Sequence, residues 1–184
     1  MAAAAASRWP AVVKALVDLL YARPGYRAAG DDAGNQDDVL VLDGPEVELT
    51  ADLADRFILI GSTLDVDGDD QGETSQTLAT VSAGQNFDET GTVVCQAVAQ
   101  TGSLELAHPG VLTADRTTMR WLTARAFAIF DDVIDITKAT PGLGIDAPRI
   151  HVQRRGRVIP RRYQTDTGGA VVTVEFTIGY DTRL

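Results

Sequence analysis

"GGAVVTVEFTIGYDTRL", residues 168–184, is the most strand-like stretch of the chain. Val172, Val174, Phe176 and Ile178 share one parity, while Thr173, Glu175 and Thr177 share the other. Successive side chains of a strand point to opposite faces, so this spacing predicts a strand with its apolar face on a core. A terminal segment stays ordered only when something ties it down, and burial of four large apolar side chains in a sheet does that. The rest of the chain is read as the material of that sheet.

Upstream, "DTGG" at 166–169 predicts a hairpin turn joining "RRYQT" (161–165) to the final stretch, and "RIHVQ" (149–153) reads as another brief strand. "VLVL" (39–42) and "RFILIG" (56–61) are short apolar runs bounded by turn residues, the mark of strands buried on both faces. "SQTLATVS" (75–82) and "GTVVCQAVAQTG" (91–102) alternate, and the turn-rich "SAGQNFDETG" (82–91) between them reads as an extended hairpin loop. Residues 26–38, polar and rich in Gly and Asp, read as a loop. Four strands in succession favour antiparallel pairing.

Two segments change period. Trp9, Val12, Val13, Leu16, Leu19 and Leu20 recur at helical spacing behind Ser7, an N-cap residue type, with Pro10 in the first turn. Pro24 and Gly25 stop this helix, predicted over 8–22. Met119, Leu122, Ala126, Ile129, Phe130 and Val133 mark a second helix, opened by Thr113 with Asp115 in its first turn and ended by Pro141 and Gly142. Its length of about 38 Å, from the 1.5 Å rise per residue, makes it the main lid of the core. The expectation is an α+β fold in one domain spanning residues 1–184. Its mixed, mostly antiparallel sheet is covered by two helices in the order α-β-β-β-β-α-β-β-β.

The hydrophobic fraction of 45% and charged fraction of 23% suit a globular chain, and a single cysteine excludes an intrachain disulfide framework. "MAAAAA" at 1–6 has no basic region before it and Arg8 interrupts it, so no secretory signal is read and cytoplasmic synthesis is expected. No window approaches the ~18 apolar residues of a membrane span, so no membrane partner is expected. A formal charge of −10 argues against nonspecific nucleic-acid binding, which relies on Lys and Arg displacing counterions. The charge is segregated: residues 31–73 hold fourteen acids against Arg56 alone, whereas residues 149–162 hold six arginines and no acid.

Candidate chemistry is sparse. Asp65, Asp67, Asp69, Asp70 and Glu73 gather the hard oxygens that a cation prefers. Counted from Asp65, however, position six of a calcium loop is Asp70 rather than Gly, and position twelve is Gln76 rather than Glu. A solvated acidic loop is the plainer reading, a weak cation site the sharper one. His108 and His151 read as surface histidines, and no G-x-S-x-G elbow accompanies them. Cys95, between Val93 and Ala97 in parity, reads as a small buried hydrophobe. No glycine-rich loop precedes a helix to cradle phosphate. Arg149, Arg154, Arg155, Arg157, Arg161 and Arg162 have two main readings, a solvated face or a docking surface for a neighbouring subunit's acidic loops. Contact with passing DNA is a third, disfavoured by the net charge.

Nearly the whole chain resembles the tail terminator (tail completion) proteins of long, non-contractile-tailed phages of actinobacterial hosts. The resemblance rests on "WPAVVKALVDLLYARPGY" leading to a strand ending in "DGP" and a short "FILIG" strand. It continues through "ETGTVVCQAVAQTG", the Ala-rich "TARAFAIFDDV" and the closing "VVTVEFTIGYDTRL". It implies a structural virion protein, without enzymatic activity or cofactor, that forms a ring, usually hexameric, on the tail tube. Such a ring ends tube polymerisation and presents a surface to the head-to-tail connector while DNA passes through its lumen. The implied partners are sibling copies, the tube protein and the connector. The implied location is the head-proximal end of the virion tail, after assembly in the host cytoplasm. Within that reading, Arg149, Arg154, Arg155, Arg157, Arg161 and Arg162 and the acids Asp65, Asp67, Asp69 and Asp70 are the candidate subunit interface. Another neck or head-to-tail adaptor subunit is one alternative, and a small metal-binding protein using loop 65–73 is another.

Overall fold

The computed structural model describes residues 7–28, 38–43, 55–61, 74–79, 86–101, 116–145, 151–164 and 170–183. Within them the order is α1 (Trp9–Tyr21), β1 (Tyr26–Ala28), β2 (Val39–Asp43), β3 (Arg56–Ile60), β4 (Thr74–Ala79) and β5 (Asn86–Thr101), then α2 (Arg116–Ala139), β6 (His151–Gln164) and β7 (Ala170–Arg183). The strands form one sheet in the spatial order β1-β2-β3-β5-β7-β6, and β4 pairs with β5 off that path. Pairing is antiparallel except that β1, β2 and β3 run parallel to one another. The fold is α+β, with two helices on a mixed, mostly antiparallel sheet.

The final strand is inside the sheet. β7 pairs with β5 from Asp88↔Arg183 to Thr101↔Ala170 and with β6 on its other side. Its parity is as the sequence predicts: Val172, Val174, Phe176 and Ile178 are buried in the cluster that the helices cover. Val39, Val41, Ile58, Ile60, Val93, Cys95, Ala97 and Ala99 carry that face across the other strands. Val12, Val13, Leu16 and Leu20 of α1 and Leu122, Ala126, Ile129 and Val133 of α2 pack onto it. α2 lies over β3, β5, β7 and β6, which makes it the lid that its length implies. Phe130 meets Phe176 edge to face, with ring centroids 4.9 Å apart. On the opposite face Leu40, Leu42, Phe57, Leu59, Val98 and Val171 make a second buried cluster, so β2 and β3 are buried on both faces as their short apolar runs predict.

Several expectations are corrected. β1 lies in the stretch read as a loop, held by β2 through Tyr26↔Val39 and its neighbours. β2 and β3 are parallel rather than antiparallel; the connection over residues 44–55 reaches the dozen or so residues that a parallel return needs. β5 begins at Asn86, inside the segment read as a hairpin loop, because β4 pairs with all of "NFDETG" and β7 with Asp88 to Gly91, which holds it extended against its turn propensity. The segment 149–165 is read as two strands, but its described part is one strand, β6 (His151–Gln164), with a register shift between Arg155 and Ile159. The shift absorbs Gly156, and Pro160 is tolerated because β6 ends the path of strands. Among the described residues, five strands therefore precede α2 and two follow it. The turn at 166–169 and the helix opening at Thr113 and Asp115 lie outside the described residues, although Gln164↔Ala170 closes the expected β6–β7 hairpin.

α2 ends as predicted, before Pro141 and Gly142. Gly142, Leu143 and Gly144 then turn left-handed, with φ of 62°, 55° and 67°. Leu143 is the one described non-glycine residue at positive φ, and its side chain is buried in the helix-side core. A leucine strained in this way needs compensation, and burial of its side chain supplies it.

Candidate functional site

Five of the predicted interface residues fall on the strand at one end of the strand order. Arg154, Arg155, Arg157, Arg161 and Arg162 lie on β6, the last strand of the path, where Arg154 is opposite Ile178 and Arg162 opposite Val172. Arg149 and the acids Asp65, Asp67, Asp69, Asp70 and Glu73 are outside the described residues, as is His108. His151 opens β6, in register with Asp181. The described acids Asp38, Asp43 and Asp55 flank β2 and β3, and Asp43 and Asp55 are exposed. β1–β3 and β6 occupy opposite ends of the strand order. The acidic segments 31–37, 44–54 and 62–73 are joined in the chain to the first end, and the arginines belong to the other.

The most elaborate polar group in the described residues is one that the sequence reading missed. Glu89 of β5 is 1% exposed and sits at the start of α1. Its Oε1 accepts from Ser7 Oγ at 2.6 Å and from Tyr180 Oη at 2.7 Å. The Arg8 backbone N–H reaches Oε1 at 3.1 Å and Oε2 at 3.0 Å. Ser7 Oγ in turn accepts the Trp9 N–H at 3.1 Å. Ser7 thus caps the helix from just outside it, and a carboxylate from a distant strand completes the cap. A negative charge at a helix N-terminus meets both free N–H donors and the positive end of the dipole, which is why a buried acid is tolerated here. Trp9 adds a second fastening through its Nε1–H to the Thr92 carbonyl at 3.1 Å.

Tyr180 reaches Glu89 because of a glycine. A Cβ on Gly91 would lie 2.4 Å from Tyr180 Cζ and 2.5 Å from its Oη. The ring therefore lies across the β5 backbone where a side chain would otherwise stand, and the phenol projects to Glu89, two residues earlier on the same face. Burial, then the hydrogen bond to Glu89 and its charge, hold the Tyr180 phenol well above the usual tyrosine range. The signal was present in the sequence: Glu89 and Gly91 share the parity of Val93, Cys95 and Ala97, and Tyr180 extends that of Phe176 and Ile178. An acid on a buried parity requires a partner.

A second polar clamp ties the α1–β1 connection and β1 to α2. Asp132 of α2 pairs with Arg23 through Oδ1 and accepts from Tyr26 Oη at 2.7 Å through Oδ2. Burial and this bond raise the Tyr26 phenol above its ordinary range. Cys95 is fully buried, as its parity predicts, and burial pushes its thiol up to about 12, partly opposed by a hydrogen bond with the Gly61 backbone. A thiol in that state is a packing group rather than a nucleophile. Chemically the described polar clusters fasten helices to the sheet. No protein-family model matches the sequence, and no curated protein matches it.

Proposed function

We propose that this chain is a structural virion subunit of the tail terminator type, which closes the growing end of a phage tail tube as a ring of identical copies. One observation carries the reading beyond sequence resemblance: opposite charges belong to opposite ends of the sheet. A ring needs a heterologous contact, in which one patch meets a different patch on the next copy. Arginines in the sequence of β6 and acids flanking β2 and β3 would supply such a complementary pair, since these strands stand at opposite ends of the strand order. The fastening of α1 through Glu89 and of α2 through Asp132 suits a part that repeats one shape around an axis.

Three measurements test this. The mass of the purified chain in solution reads the ring, and addition to growing tail tubes reads the capping. Reversal of Arg154, Arg155 and Arg157 to Glu then reads the contact. Assembly weakens in the reversed variant and its salt dependence diminishes, because charge pairs at a rim are screened over about 8 Å at physiological salt. Oligomerisation unchanged by the reversal at low salt refutes the contact, and tube growth unaffected by the parent chain refutes the function. Each subunit carries −10, so the same reading makes the lumen acidic and non-adhesive to DNA.

A further inference from the structure

The outer side of α2 has features that neither the core nor the ring contact uses. Trp121 is 45% exposed there, with the Arg125 guanidinium 4.3 Å from its ring centroid. Arg116, Arg120, Ala124, Ala128, Asp131 and Asp135 are exposed as well. Cations gather in the first half of the helix and anions in the second, against the order that the helix dipole favours. Lys138 partly restores that order through a 3.7 Å pair with Asp135. Intrachain stability does not explain such an arrangement, and a desolvating tryptophan beside it has the composition of an interface anchor.

The spacing identifies the occupant. Measured from a point midway between Arg125 and Ala126, Arg120 and Asp131 stand about 8 Å away in opposite directions along the axis. Arg116 and Asp135 stand about 14 Å away in the same sense. The stripe is therefore palindromic in position and opposite in sign. Laid antiparallel on a copy of itself, it places Arg120 over the partner's Asp131 and Arg116 over the partner's Asp135, each pair formed twice. The small, exposed Ala124 and Ala128, one on each side of that point and within about 4 Å of it along the axis, allow the helices to approach to about 8–10 Å, and Trp121 flanks the centre on each side. A two-fold contact is self-complementary in this way, whereas a contact between different patches gains nothing from a palindrome.

We propose that the outer face of α2 is a two-fold docking surface for a second copy of this chain. The contact is separate from the ring contact and does not rest on it: alone it gives a dimer, and combined with a ring it pairs two rings.

Sedimentation velocity on the full chain tests the proposal, run near 0.15 M salt so that the mutual repulsion of two acidic subunits is screened beyond about 8 Å. Arg120→Glu and Asp131→Arg each weaken dimerisation at least about tenfold, and Trp121→Ala about 30-fold. The double variant Arg120→Glu/Asp131→Arg regains affinity to within a few-fold of the parent, because both pairs re-form with signs exchanged. Urea midpoints of all four variants stay near the parent value, since the side chains are exposed. A parent chain that stays monomeric at its highest soluble concentration overturns the proposal. So does association that these variants leave unchanged, or a double variant no better than the singles; the face then serves another occupant. Reversal of the β6 arginines leaves the dimer intact, so failure of the ring reading and failure of this one are separable.

Discussion

Replacing Gly91 by alanine is normally a mild change in a strand, and relief of glycine's chain entropy favours the alanine by about 0.5–1 kcal/mol. In this protein it is severe. The new methyl would stand 2.4–2.5 Å from three atoms of the Tyr180 ring, whereas carbon atoms settle at about 3.5–4.0 Å. The ring must retreat by about 1 Å or more, and the 2.7 Å bond from its hydroxyl to Glu89 breaks with it. Overpacking costs about 1–3 kcal/mol and loss of a hydrogen bond to a charged group about 1.5–3, so a net destabilisation of about 2–5 kcal/mol remains. Urea unfolding followed by far-UV circular dichroism measures it. Tyr180→Ala alone costs about 3–5 kcal/mol, and Gly91→Ala added to that background costs nothing further, since the obstruction has gone. A Gly91→Ala variant as stable as the parent, or strict additivity of the two changes, refutes the account.

Alkaline pH gives another readout. The folded state holds the Cys95 proton to about pH 12, and the unfolded chain releases it from about 9. The unfolded state binds fewer protons between those values, so stability is intact below about pH 9 and falls by about 1.4 kcal/mol per pH unit above it. Tyr26 and Tyr180 add falls of the same sign above about pH 10. Cys95→Ala removes the earliest part of the slope in urea titrations; a slope unchanged by it would contradict the burial argument. Leu143→Ala keeps the left-handed backbone but loses the buried side chain, and lowers stability by about 2–5 kcal/mol in the same assay.

Period was legible in the sequence and partnership was not. The parity of Val172 to Ile178, the stripes of both helices and the burial of residues 39–42 and 57–60 follow from side-chain direction alone, which each segment determines locally. Whether β2 meets β3 parallel depends on the route of the connection between them, which no local pattern encodes. Asn86 to Gly91 have turn composition yet form strand because β4 holds all six and β7 holds Asp88 to Gly91 from the other side. The parity of Glu89 marks it as an acid in need of a partner, but its partners Ser7, Arg8 and Tyr180 are identified only when the fold brings them to it. The arginine run was recognised as a unit, and its place at a sheet rim came from strand order.

The position of β7 also constrains how the protein is made. Val93 pairs with Ile178, and at about 5–20 residues per second a ribosome needs roughly 4–17 s to traverse the chain between them. During that interval the long flank of β5 is a template of unsatisfied amides and carbonyls, open to any nascent chain on the same polysome. Chaperone shielding and brisk elongation through residues 102–178 therefore favour native product, and a pause in that window exposes the chain to tangling with its siblings.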